Sequence, residues 1–384
     1  MQNKSEPHEQ TSSPASSSNS RQSARSKGKG GSRAAPAARD LDHGLKLLAA
    51  SALSASGYFT RINVALSATG DRGFSDVTDV DVLALRYDPL FTARRVAMSC
   101  KAGERVGVAH EIFYIRGVLE YLDGDEGVLL LGAKKADPHL RDLADRLNIL
   151  VAWGPETDSW TKSIAKDAPE AGYFDATRYN DWAADLAGVV PGNALIPYLR
   201  SDYWFYRDFR NVQNVLQHFK RLEHRLDGRS RGHSVLFYEV AAHLTLSLLD
   251  LCRHVVRMGP GRVQEVLPSY LFGGNASYKA RRDLHQRVNQ LLQATGTITP
   301  NGPSLPPLDP AYTPELAELV IRFVERPQAA IKVPLVLQDA TWRLFGAPGS
   351  PAFGDTVGLV AQKLTSDLLT FIKNAAGHPW APSI

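Results

Sequence analysis

The chain has 384 residues, 43% of them hydrophobic, enough for substantial cores and room for two domains. No apolar run approaches the length needed to span a bilayer, and the N-terminus lacks the apolar segment of a secretory signal, which argues against membrane insertion and export. The two cysteines, Cys100 and Cys252, stand far apart with no CxxC partner, so neither a disulfide framework nor a zinc cluster is indicated and a reducing cytoplasm is expected.

The formal net charge of +4 is unevenly placed: residues 1–39 carry seven Lys and Arg against two Glu, which leaves everything after them close to neutral. This Ser-, Gln-, Gly- and Ala-rich stretch cannot bury enough apolar surface to offset its ordering entropy and is expected to be a disordered basic tail. A near-neutral body excludes a strongly basic nucleic-acid-binding surface overall, while local clusters remain able to meet phosphates.

Order is expected from Asp40, with Asp42 capping a helix that Gly57 stops. A strand over 59–67 follows. Two β-type runs, 80–87 and 94–101, joined by a proline-containing break at 88–93, then predict a hairpin. Pairing about a turn near Leu90 places Asp81 opposite the 99–101 end, where Ser99 and Lys101 share a face. Apolar spacing at Val108, Ile112, Ile115, Leu119 and Leu122 predicts a helix over 104–123. A strand at 128–131, a helix at 139–147 opened by Asp137-Pro138, and a strand at 149–153 complete an α/β domain over 40–154. Its sheet should be mixed: an antiparallel three-strand meander, then two strands reached by helical crossovers and therefore parallel.

Residues 155–178 read as a polar linker, and the pattern then turns wholly helical. Helices are expected over 179–187, 194–226, 235–258, 277–294, 314–325, 329–345 and 355–375, with a proline-rich connection at 295–313. This predicts an all-α domain over 179–384, with the helix at 235–258, apolar on nearly every side, as its buried centre.

In this order of elements, Asp81 and Ser99-Cys100-Lys101 resemble the PD-(D/E)xK nuclease superfamily, the restriction-endonuclease-like fold, over about residues 41–153. The resemblance implies a nuclease that hydrolyses phosphodiester bonds, of DNA, with Mg²⁺ or Mn²⁺. In that analogy Asp81 is a metal ligand, Lys101 assists the attacking water, and Ser99 stands where the family has its second acid. Serine is a poor Mg²⁺ ligand beside a carboxylate. Three acids are placed to substitute: Asp79 on the same strand face as Asp81, Glu111 in the following helix, and Glu104 at that helix's start. The same departure leaves a second class open, a catalytically inactive nuclease-fold protein that binds nucleic acid or a protein partner.

Other signals are weaker. His110-Glu111 begins like HExxH, but Tyr114 stands where the second His would be. Glu239 with His243, and Asp250 with His254, read as buried polar pairs that satisfy each other. Gly259-Pro260-Gly261 and Gly273-Gly274 match no phosphate-binding loop and read as turns. Within 198–231, Arg207, Arg210, Lys220 and Arg221 are interleaved with Tyr203, Trp204, Tyr206 and Phe209. Such a mixture suits phosphate contact with base stacking, or else an aromatic core edged by ion-paired arginines.

Overall fold

The computed structural model describes residues 36–384 apart from 71–72, 104–105, 134, 136, 167–173, 206–208, 298–304 and 347–355. The basic tail up to residue 35, Glu104, Tyr206 and Arg207 therefore lie outside the described residues.

Helix α1 (Pro36–Ala55) leads into β1 (Phe59–Gly70), β2 (Gly73–Tyr87) and β3 (Ala93–Lys101). Helix α2 (Val108–Leu122), β4 (Glu126–Leu131), α3 (Pro138–Arg146) and β5 (Ile149–Trp153) follow. The five strands form one sheet in the order β1-β2-β3-β4-β5, antiparallel through β3 and parallel from β3 to β5. That is the mixed sheet the alternation of elements predicts.

Local chemistry accounts for the turns. The β2–β3 turn is closed by Asp88, whose Oδ1 accepts the Leu90 and Thr92 amides at 2.9 and 2.8 Å, an Asx turn. Asp137 Oδ1 accepts the His139 amide at 3.0 Å, and Pro138 fills the first turn of α3. Helix α2 ends as Asp123 takes a left-handed conformation and Gly124 N–H donates to the Leu119 carbonyl at 2.8 Å.

Two expectations at this end are corrected. Asp42 does not cap α1, which begins earlier; its Oδ1 accepts the Ala102 amide at 2.6 Å and ties the helix to the end of β3. The stretch after β5 is not loop throughout, because Pro155–Lys166 is helix α4. Gly154, at φ +47°, turns the chain, and Pro155 is pre-organised for a first helical turn. Helix α4 packs on α1, and the Ser56 hydroxyl donates to the Ile164 carbonyl at 2.6 Å.

The remainder is helical: α5 (Tyr179–Gly188), α6 (Leu195–Arg200), α7 (Asp202–Phe205), α8 (Arg210–Lys220), α9 (Arg231–Met258), α10 (Val263–Leu271) and α11 (Asn275–Ala294). Then come α12 (Thr313–Glu325), α13 (Pro327–Ala330), α14 (Val333–Arg343) and α15 (Thr356–Ala376). The single helix expected over 194–226 is three short ones, since Ser201 leaves helical geometry at φ −132°, ψ −81°. The helix expected over 329–345 is likewise divided into α13 and α14. Helix α10 was not anticipated, because Pro268 lies inside it. Gly259 opens a short 3-10 turn at Pro260–Arg262, and Gly273 and Gly274 are a positive-φ turn.

Helix α9 is long and apolar enough to cross a membrane, contrary to the reading that no run is, yet it is almost wholly buried in this fold. Helices α5, α8, α12 and α14 pack around it. It also meets the sheet: Arg61 of β1 donates to both Glu239 oxygens at 2.8 and 2.9 Å, and the Tyr87 hydroxyl to Asp250 Oδ1 at 3.3 Å. Asp250 is thus engaged by the sheet, while His254 is exposed with its ring 5.2 Å from that of Tyr270, so the buried pair expected of them is not what these contacts show. Buried side chains of both halves form one continuous core.

Candidate active site

Strand β2 is interior to the sheet, and Val80, Val82, Leu83 and Ala84 are all at most 2% exposed. Asp81, itself 5% exposed, is one carboxylate in that apolar run. Burying an unpaired carboxylate costs far more than a fold can spare, so its partners define the site.

Asp81 lies one position beyond the Val82–Met98 pair, which brings it against the end of β3 as the hairpin register predicts. Its Oδ2 accepts the Cys100 amide at 2.8 Å and the Lys101 ammonium at 3.1 Å. Its Oδ1 meets the Lys46 ammonium of α1 at 2.6 Å. The Ser99 hydroxyl lies 3.3 Å from Asp81 Oδ2 and 3.0 Å from Glu111 Oε2. With one proton to give, it donates to one of them at a time and links the two acids.

Burial pushes the Asp81 carboxyl up, but Lys101 and Lys46 beside it outweigh that, aided by the Cys100 amide, and hold it below the usual aspartate range. Burial lowers Lys101, while Asp81 and Glu111 more than reverse the effect, so the ammonium stays charged at neutral pH. Cys100 is fully buried and its thiol is pushed up by burial and by Asp81, which leaves it an inert packing residue.

Of the acids placed to substitute for a second carboxylate, the structure brings Glu111 to Ser99. The approach depends on Gly127 in β4, where an added Cβ would lie 2.6 Å from Ile115 Cγ2. Ile115 is one helical turn beyond Glu111, so close packing of α2 on β4 sets Glu111 over Ser99. Gly127→Ala should cost about 1–3 kcal/mol in chemical denaturation, through displacement of Ile115.

Asp79 is not brought in. It is exposed, in the part of β2 that extends past its pairing with β3 and is bonded to β1 alone. What holds there is its backbone, since the Tyr114 hydroxyl donates to the Asp79 carbonyl at 2.5 Å. Tyr114, the residue that breaks the HExxH pattern, thus anchors α2 on the ribbon.

Lys46 and Asn63 escaped the sequence reading. Asn63 in β1 takes φ +54° and drops out of the ladder between the Ile62–Val82 and Val64–Val80 pairs, opposite Asp81. Its Oδ1 accepts the Lys46 ammonium at 2.7 Å, which steadies Lys46 on Asp81. The available signal was spacing: Asp42, Lys46, Ala49 and Leu53 lie on one helix face, and Ala49 and Leu53 are buried.

The basic segment does not converge on this cluster. Tyr203 and Trp204 are buried at 5% and 7% exposure and are core rather than stacking platforms. Arg210, Lys220 and Arg221 are exposed on and just after α8, which packs against α9 and α15.

Mg²⁺ commonly takes one or two protein carboxylates with waters and substrate oxygens. Asp81 and Glu111, linked by the Ser99 hydroxyl, meet that donor requirement; among the described residues no group of three or more His, Cys, Asp and Glu is gathered to hold an ion. The contact of Lys46 with Asp81 Oδ1 competes for the same carboxylate. No protein-family model, no curated protein and no solved structure matches the chain.

Proposed function

We propose that this chain is a metal-dependent phosphodiesterase of the restriction-endonuclease-like kind, acting on DNA. The observation that carries the proposal is the Ser99 hydroxyl bridging Asp81 and Glu111, which supplies a second acid from α2 in place of the missing one on β3. Asp81 and Glu111 would hold Mg²⁺ or Mn²⁺. When bound, such an ion polarises a phosphoryl oxygen and lowers the pKa of a water.

The chain's own residues supply the rest. Lys101, charged and 30% exposed at its side chain, offers an ammonium to a phosphate oxygen or to the developing charge of the transition state. Cys100 N–H and Asn63 keep the acid and Lys46 in register. Arg210, Lys220 and Arg221 are exposed cations on and just after α8 that would contact the DNA backbone away from the cluster.

The second reading, a catalytically silent nuclease-fold protein that binds DNA, is favoured by Lys46, which with Lys101 already neutralises Asp81. Nicking of supercoiled plasmid in Mg²⁺ and in Mn²⁺ separates the two. Under the first reading the parent cuts and Glu111→Gln cuts at least ~10²-fold more slowly, more than the loss expected for an outer support residue. Absence of cutting by the parent and by Lys46→Met, with DNA still retained, would establish the silent form.

A further inference from the structure

A cavity of about 90 Å³ lies where β1 meets α5, α6 and α9, on the side of β1 away from β2 and from β3, the strand that holds Ser99 and Lys101. Its walls include the rings of Tyr179, Trp182 and Trp204, and the solvent-exposed Arg200 is part of its lining. Its polar lining includes Arg61, Asn63, Glu239 and His243, drawn from the two halves of the chain.

His243 is 2% exposed, and its Nδ1 lies 2.8 Å from the Glu239 carbonyl. A carbonyl only accepts, so Nδ1 carries the proton. Burial, then the charge of Arg61, lower the ring's pKa to about 3, so the imidazole is neutral and Nε2 is a bare lone pair. Among the described residues Nε2 has no hydrogen-bond partner. The Leu199 carbonyl on that side cannot serve, being an acceptor itself and already engaged by the Trp204 indole N–H at 3.0 Å. Arg61 Nε is a second buried atom without a partner among the described residues, while the same guanidinium holds Glu239 and the Thr60 carbonyl.

A buried acceptor left unsatisfied costs free energy that a ligand donor recovers. Aromatic walls favour a flat ring, and Arg200 in the lining favours an anionic substituent. We propose that this cavity binds a small aromatic anion, a single ring that donates O–H or N–H to His243 Nε2 and presents its negative group to Arg200. The site is independent of the nuclease reading, although Asn63, which steadies Lys46 on Asp81, is part of the same wall.

Isothermal titration calorimetry of the full chain with 4-hydroxybenzoate and benzoate tests this. The phenol should bind about tenfold more tightly, the worth of one hydrogen bond to a buried acceptor. His243→Phe should bring that ratio to about one. Arg200→Gln should weaken both ligands by a similar factor and keep the ratio, and Ala183→Trp, filling the cavity from α5, should abolish both. Failure of the parent to bind either anion at millimolar concentration would mean a cavity holding water only and would overturn the proposal. So would undiminished binding by Ala183→Trp, or a tenfold ratio retained in His243→Phe. Circular dichroism establishes that each variant is folded; should His243→Phe fail to fold, the Ala183→Trp result decides.

Discussion

Asp81→Ala should abolish any plasmid cleavage and lower the stability of the fold by about 3–5 kcal/mol, the usual consequence of removing one member of a buried charge cluster. The carboxylate is 6% exposed and receives two ammoniums, a backbone amide and a hydroxyl; its loss leaves Lys46, only 15% exposed, with Asn63 as its remaining partner among the described contacts. The pH dependence has a definite sign. The carboxyl is held below its unfolded value of about 3.9, so its contribution is complete above that value and is lost as pH falls through the lower, folded one. The gap between parent and Asp81→Ala in urea midpoint should therefore be full at pH 7 and close progressively below about pH 4. A gap unchanged down to pH 2, or a variant that cuts as well as the parent, would be incompatible with this account.

Arg61→Met should be comparably damaging, about 3–5 kcal/mol, because it leaves the buried Glu239 carboxylate without its only cation at hydrogen-bond distance among the described contacts. Burial already raises Glu239 above the ordinary glutamate value, and Arg61 partly offsets that. Without Arg61 the carboxyl should rise further and take up a proton in the folded state. An acid raised by folding contributes stability below its unfolded value and loses it as pH rises, so the variant's deficit should be smaller at pH 5 than at pH 8. The double change Arg61→Met with Glu239→Leu should recover most of the loss, since an apolar pair of similar volume carries no desolvation cost. Urea denaturation of the three proteins at both pH values is the measurement; a double variant no better than Arg61→Met would count against the pairing.

Much of the site was legible in one dimension because a hairpin's register is local. Two apolar β-type runs and a turn near Leu90 suffice to place Asp81 against residues 99–101. The parallel pairing of β3 with β4 followed from the need for a helical crossover. What failed was mostly local too. The polar composition of 155–166 concealed α4, whose exposed face needs no apolar residues, and Ser201 broke a helix whose apolar spacing continued past it.

The acids show where local reasoning stops. Asp79 and Glu111 were equal candidates by sequence, but strand alternation says only which face a residue takes, not whether a neighbouring strand reaches it. Asp79 falls beyond the end of β3, while Glu111 is carried to Ser99 by α2 packing closely at Gly127. Lys46 lies 35 positions before Asp81 and Glu239 lies 178 after Arg61, separations over which no spacing rule operates. By itself the sequence determined the strands, their register and the acid-and-lysine pair, all properties of short-range periodicity. Tertiary structure alone decided which charges surround Asp81 and that Arg61, Glu239 and His243 enclose a cavity, because desolvating a charge forces a partner from wherever the packed chain can supply one.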